Sequence, residues 1–431
     1  MTQTQIAAST EAHSPLSHLS SEQLDELGRE LDAIKDRVFA ELGTRDRRYI
    51  ESMIAMQRRL AVMGRVLLLA SRYRPAWVAG TATLSLAKIL ENMEIGHNVL
   101  HGQWDWMNDP QINSSTWDWD TASTAEAWKH SHNYVHHTFT NILGKDKDLG
   151  YEIMRIDTHQ RWHPVYLLQP LYNLVLAAFF EWGVALHDLD FEAIRTGKKS
   201  KAQVKRELAG IREKAKSQIV KDYIAWPLLS GLAMAALDAA IEVGRGRGGS
   251  GGSGRKRRGL LSRRRRGGLT NVLRTALDSA TGAYRSTASA DATANIVRNV
   301  WAYAIIFCGH FPDQTYTFSP EEVEDESRGG WYVRQLVGAA NIEGSPLFHV
   351  ASGNLGYQVE HHLFPDMPST RYAEIAPQVK DVCERYGLPY NSGPFGRQLG
   401  MVQRTILRLA FPGGSQRPKP GPYRGATEHP A

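Results

Sequence analysis

Apolar residues recur every three or four positions near the amino terminus: Leu24, Leu27, Leu31, Ile34 and Val38 follow a Ser20–Gln23 pair with capping-box spacing, and Gly43 comes soon after. That pattern predicts an amphipathic helix lying with one face on the body of the protein. Further along, the pattern turns from one-sided to nearly continuous. Residues 165–186 (VYLLQPLYNLVLAAFFEWGVAL) hold a single charge, Glu181, in 22 positions. As one helix they would rise ~33 Å, enough to cross the hydrocarbon core of a bilayer. Residues 63–70, 76–90, 224–241 and 294–309 are shorter or more interrupted apolar stretches. Together these predict an all-α, integral membrane protein with two helical hairpins.

Residues 244–268 collapse to Gly, Ser and Arg and predict a flexible linker, the centre of a polybasic insert over residues 232–282. The rest divides into a tail and amphipathic helix (1–50), a main domain (51–410) and a disordered C-terminal tail (411–431). The chain carries a net charge of +6, yet residues 245–268 alone hold ten basic side chains and no acidic one, so the remainder nets −4. Its basicity therefore belongs to one segment and not to a surface built for specific nucleic acid; anionic lipid is another partner such a run attracts. A formal GxGxxG at residues 246–251 has no strand before it, which argues against a dinucleotide fold. With Cys308 and Cys383 as the only cysteines, a disulfide framework and cysteine-based zinc or iron-sulfur sites are excluded. The first residues lack the basic and apolar regions of a secretory leader, so a reducing, cytosol-facing setting is expected.

The chemistry lies in the histidines. Seven of the 16 fall in three clusters: His97-Asn-Val-Leu-His101, His132-Asn-Tyr-Val-His136-His137 and Gln358-Val-Glu-His361-His362. Histidines four apart on a helix share a face and can address one metal, and a directly following histidine is rotated by about 100° toward a second. Seven imidazoles exceed what one zinc site uses, so two metals are implied. Zinc-peptidase chemistry needs a glutamate after the first histidine, where Asn98 and Asn133 stand. Imidazole suits iron, copper and nickel as well as zinc, and leaves the metal open. His310 ends the last apolar stretch, where a further ligand can enter; His130, His159, His163, His187 and His349 lack the cluster spacing and read as outer or surface residues. Glu94, Asp146, Asp148 and Glu360 are candidates to hold ring N–H groups, and Asn354 is a candidate to contribute to the site through a water. Trp104, Trp106, Trp117, Trp119 and Trp128 lie between the first two clusters and can line an apolar channel, form an interfacial belt or simply pack.

The stretches ENMEIGHNVLHGQWDWMNDP, WKHSHNYVHHTFTNILGKDKD, IVRNVWAYAIIFCGHFPD and SGNLGYQVEHHLFPDMPS resemble the membrane fatty-acid desaturases, most closely the actinobacterial NADPH-dependent stearoyl-CoA 9-desaturases. The resemblance covers roughly residues 50–410. It implies about four transmembrane helices in two hairpins under a cytosolic helical cap, in the cytoplasmic membrane with the active site facing the cytosol. It implies two iron ions and O₂-dependent formation of a cis double bond, at carbon 9 of stearoyl-CoA or a similar fatty acyl-CoA. It carries His97, His101, His132, His136, His137, His361 and His362 over as iron ligands, with His310 as an eighth, and no catalytic residue beyond them. Gln358 stands where many members have histidine, and the insert has no counterpart in the family pattern.

Desaturation needs electrons, yet the chain has no haem-binding HPGG (Phe411 opens FPGG), no cysteine cluster and no nucleotide fold. A separate NADPH-dependent reductase with a flavin or iron-sulfur carrier is the expected partner. A diiron fatty acyl hydroxylase shares the histidine logic and is the alternative within enzymes; a metal-binding membrane protein without redox turnover is the alternative outside them.

Overall fold

The structure, a computed structural model, describes residues 18–248 and 261–414. The main helices are α1 (Ser21–Ala40), α2 (Thr44–Leu68), α3 (Arg74–Ile89), α4 (Gln169–Ala178), α5 (Phe180–His187), α6 (Lys201–Ile219), α7 (Trp226–Gly248), α8 (Leu261–His310), α9 (Arg328–Gly338), α10 (Gln358–Leu363), α11 (Tyr372–Arg385) and α12 (Phe395–Leu409). The all-α expectation is corrected at one point. β1 (Asn341–Glu343) and β2 (Ser392–Pro394) pair in parallel, with Ile342 opposite Gly393. Only three residues long on each side, the pair clips two loops together.

The described residues form two compact units. The first holds the residues up to Ile54, Ile89–Ile211 and those from Asn299 onward; the second holds Ala55–Lys88 and Arg212–Arg298. In the first, α1 forms where its periodicity predicts. Ser20 caps it, accepting from the Gln23 amide at 3.2 Å while the Gln23 side chain accepts from the Ser20 amide at 2.9 Å. Its buried Leu27, Leu31 and Val38 join a core with Tyr332, Leu336, Val359, Phe364 and Ile375. Polar contacts at the rim fix the same docking: Lys35 pairs with Asp366 at 2.9 Å, and Glu30 pairs with Arg385.

The second unit is built from the end of α2 with α3, α7 and most of α8. Leu68, Leu84, Ala290 and Ala294 pack at its centre. A Cβ added to Gly231 would lie 2.8 Å from the Ala280 carbonyl oxygen, so α7 and α8 meet backbone to backbone there. Charged groups are buried within: Arg65 reaches Asp222 at 2.5 Å and also Asp291, while Lys88 reaches Asp222 at 2.8 Å. Apolar side chains face outward, with Val62, Leu232 and Leu277 at 64%, 58% and 67% exposure. A unit with its ions inside and its aliphatics outside suits a lipid surrounding better than water.

Two sequence expectations change. Residues 165–186 do not make one long helix: the segment breaks at Phe179 (φ −119°, ψ 33°) into α4 and α5. Among the described residues, the helix long and apolar enough to cross a membrane is Lys201–Val243, which contains the apolar stretch at 224–241; Pro164–Ala178 is a shorter apolar helix. The expected linker is the second correction. Helix continues to Gly248 and resumes at Leu261, so much of the 232–282 segment is two arms of a helical pair, while residues 249–260 lie outside the described residues. Ser279 beside Asp238, and Arg72 on that same Asp238 at 2.6 Å, hold these arms in register. Short arginine-rich runs hid the helical pattern on either side of them.

Candidate metal centre

The first two histidine clusters sit on widened helical turns. Leu90–His97 and Lys129–His136 are π-helical, each passing straight into a short α-helical turn. Such turns, with their i→i+5 hydrogen bonds, recur at functional sites because they re-aim side chains without ending the helix. The third cluster lies on α10, where His361 and His362 are fully buried, and His310 ends α8.

All eight histidines converge within the first unit. Ring nitrogens of His97, His101, His132 and His361 lie within 4.8 Å of one another, and those of His136, His310 and His362 form a second such group. His137 falls in neither group but sits between them, its ring stacked on His362 at 4.6 Å and 4.9 Å from His101. His132, His136 and Asp148 make a third close set.

The second nitrogens show why these rings point inward. His136 Nδ1 lies 3.0 Å from Asp146 and His132 Nδ1 3.3 Å from Asp148. His361 Nδ1 meets the Tyr372 hydroxyl at 3.2 Å, His362 Nδ1 meets Gln335 Oε1 at 3.1 Å and His97 Nδ1 meets Asn98 Oδ1 at 3.0 Å. Each acceptor favours the tautomer with hydrogen on Nδ1 and a lone pair on Nε2. The Nε2 atoms of His101, His132, His136, His361 and His362 are buried without a hydrogen-bond partner, as are both nitrogens of His137 and Nδ1 of His310. Buried polar atoms are normally paired, and this many orphans on converging rings is what a metal-ligand set looks like without its ion.

Electrostatics favour the neutral imidazole at most of these rings, with His136 the exception. Burial pushes His97 down to about 3 and holds His101, His137, His361 and His362 well below the ordinary imidazole range, with neighbouring rings adding to the effect. At His136 burial acts in the same direction, but Asp146 and Asp148 outweigh it and raise the ring to about 9. A carboxylate on Nδ1–H makes the opposite nitrogen a stronger donor to a cation.

Asp146 and Asp148 therefore do what the sequence suggested, and Asp148 also binds the otherwise unclustered His187 at 3.0 Å. Glu94 and Glu360 do not hold ring nitrogens. Glu94 instead accepts from Tyr49 at 2.7 Å and Asn354 at 3.0 Å, and Glu360 accepts from Tyr390 at 2.6 Å and Asn341 at 2.9 Å. The π-turn lies between Glu94 and His97 and takes the carboxylate off the histidine face. Tyr372 and Gln335 had no local signal, since they come from elements outside the clusters; Asn98 was visible inside the first cluster.

Beside the rings lies a cavity of about 60 Å³, lined by His97, His132 and His310 together with Trp119, Trp128, Phe180, Val184 and Ile306. Trp128 stacks on His132 at 4.6 Å and packs against Trp119 at 4.9 Å. Two of the five clustered tryptophans thus line the cavity, whereas Trp104 is fully buried.

Comparison with known sequences adds an independent line. The profile of the fatty acid desaturase family matches residues 75–243 and 248–394. The NADPH-dependent stearoyl-CoA 9-desaturase of Mycobacterium tuberculosis is 43% identical over 395 residues, covering 92% of this chain and 82% of the relative. The sn-1 linoleoyl-lipid 6-desaturase of a Synechocystis species is 24% identical over 331 residues, covering 74% of this chain and 76% of the relative. The human fatty acid desaturase 3 is 39% identical, over 89 residues, 21% of this chain and 20% of the relative. No solved structure matches.

Proposed function

The chain belongs to the fatty acid desaturase family and is an acyl desaturase, an oxidoreductase of lipid metabolism; on that premise we propose that it forms a cis double bond at carbon 9 of stearoyl-CoA or a similar fatty acyl-CoA. The position and carrier follow from the name of the M. tuberculosis relative and its 43% identity over most of the chain. Two iron ions are the expected metals. His97, His101, His132 and His361 would hold one, His136, His310 and His362 the other, and His137 would lie at the boundary of the two. The observation that carries this reading is the pair of histidine groups in which every ring except His97 has a buried nitrogen with no protein partner.

Iron, when bound and reduced, would supply the O₂ chemistry needed to take hydrogen from an unactivated methylene. The chain's own residues have three tasks. The cavity walls at Trp119, Trp128 and Phe180 orient an acyl chain so that one carbon pair lies against the histidines, since small misplacement changes the product. The same apolar walls exclude water from the reacting carbons. Asp146, Asp148, Tyr372 and Gln335 keep hydrogen on the outer ring nitrogens, leaving the inner ones free to ligate.

Electrons would come from NADPH through a separate reductase with a flavin or iron-sulfur carrier, a reading supported by the relative's NADPH dependence. Desaturases of this family are membrane-associated. The outward aliphatics of the second unit and the apolar helix Lys201–Val243 support insertion in the cytoplasmic membrane. Four crossings with the site facing the cytosol is the arrangement we propose.

Expression with a matched reductase in a host lacking its own desaturase, followed by gas chromatography and mass spectrometry of total fatty acids, tests the function. A cis-9 monounsaturated acid absent from a His361→Ala control is the expected result. Hydroxy acids in its place would overturn the reaction.

A further inference from the structure

The break between α4 and α5 builds part of the cavity. In a straight helix residues 176 and 183 are separated by about 10.5 Å along the axis. Here the Leu176 Cδ1 atom lies only 2.4 Å from where a Cβ on residue 183 would be, and Gly183 leaves it room. The two helices are therefore folded toward each other around Phe179. A side chain from α8 takes up the backbone groups that the break releases: Asn299 Nδ2 donates to the Ala178 carbonyl at 3.0 Å, and its Oδ1 accepts from the Glu181 amide at 3.4 Å. A side chain inserted into the hydrogen-bond ladder is a recognised cause of a sharp helix kink. Asn299 is buried, and both it and Phe180 line the cavity. The Phe180 ring is backed by Tyr151 at 5.5 Å, Tyr303 at 6.0 Å and Phe307 at 6.3 Å, an aromatic wall with little freedom to retreat.

We propose that Asn299 and Phe180 determine which acyl chains the enzyme accepts: Asn299 holds the break, and the break holds Phe180 in the wall against which the chain lies. This rests on the reading of the cavity as the acyl site. Phe180 is the specificity residue and Asn299 the positioning residue behind it. A wall of packed rings discriminates chains by length because each methylene that lacks space carries a penalty of about tenfold or more in rate.

The test compares wild type, Phe180→Ala and Asn299→Leu, each supplied with its reductase and a competing mixture of acyl-CoA substrates from about 14 to about 20 carbons. Product ratios by chain length and double-bond position are read by mass spectrometry, and iron per chain is measured on the same preparations. Phe180→Ala is expected to raise the ratio of long-chain to short-chain product by about tenfold, and Asn299→Leu to broaden the distribution, both with wild-type iron content. If Asn299→Leu fails to accumulate, Phe180→Ala and Phe180→Leu carry the test, since they alter the wall without removing a backbone partner. Unchanged ratios and bond position in active variants would overturn the inference and leave the desaturase reading standing. A wild type that makes no unsaturated acid from any of these chains would remove the acyl-site reading and the inference with it.

Discussion

Two buried polar clusters, one in each unit, are built in opposite ways. In the second, Arg65 and Lys88 converge on Asp222, with Asp291 on the other side of Arg65, so each buried cation faces a carboxylate. In the first, the histidine nitrogens face one another with no acceptor or donor between them. A buried network in which cations face carboxylates gives a helix bundle its register; a set of like donors facing one another invites a ligand. The contrast separates a structural polar cluster from a functional one without appeal to motif.

Four changes would break or sharpen that contrast. The largest effect is expected at His361→Ala, which should abolish unsaturated product and remove the iron held by its group of ligands. Asp222→Ala should do the reverse. It strands Arg65 and Lys88 in the interior and is expected to destabilise the protein by about 3–5 kcal/mol in thermal or denaturant unfolding, with iron per folded chain unchanged. Tyr372→Phe removes the hydroxyl at His361 Nδ1 and should weaken iron affinity by about 10–100-fold in a chelator competition. Ser20→Ala, remote from both clusters, should lower stability by about 1 kcal/mol through loss of the α1 cap and leave both iron and activity intact.

Much of the first unit could be read directly from residue order. The α1 pattern, the three histidine clusters and His310 are local signals, and the structure brings all eight histidines together. What could not be read depends on distant partners. Residues 165–186 look like one apolar helix because nothing within them announces that Asn299, over a hundred positions later, takes up the backbone groups at Ala178 and Glu181. Glu94 looked like a ring partner because α-helical spacing was assumed where a π-turn forms. Tyr372 and Gln335 sit in ordinary-looking helices and acquire their roles only when α11 and α9 pack beside α10. Residues 244–248 and 261–268 looked like linker because glycine and arginine mask periodicity, whereas both runs are helical.

The most direct test of the central claim is the metal content of the purified full-length protein, measured by elemental analysis on wild type and on His361→Ala and His362→Ala. The account predicts about two iron atoms per wild-type chain, with loss in each variant, since the two histidines belong to different groups of ligand nitrogens. Zinc in place of iron, or a fully folded and active wild type with a single metal atom per chain, would contradict it.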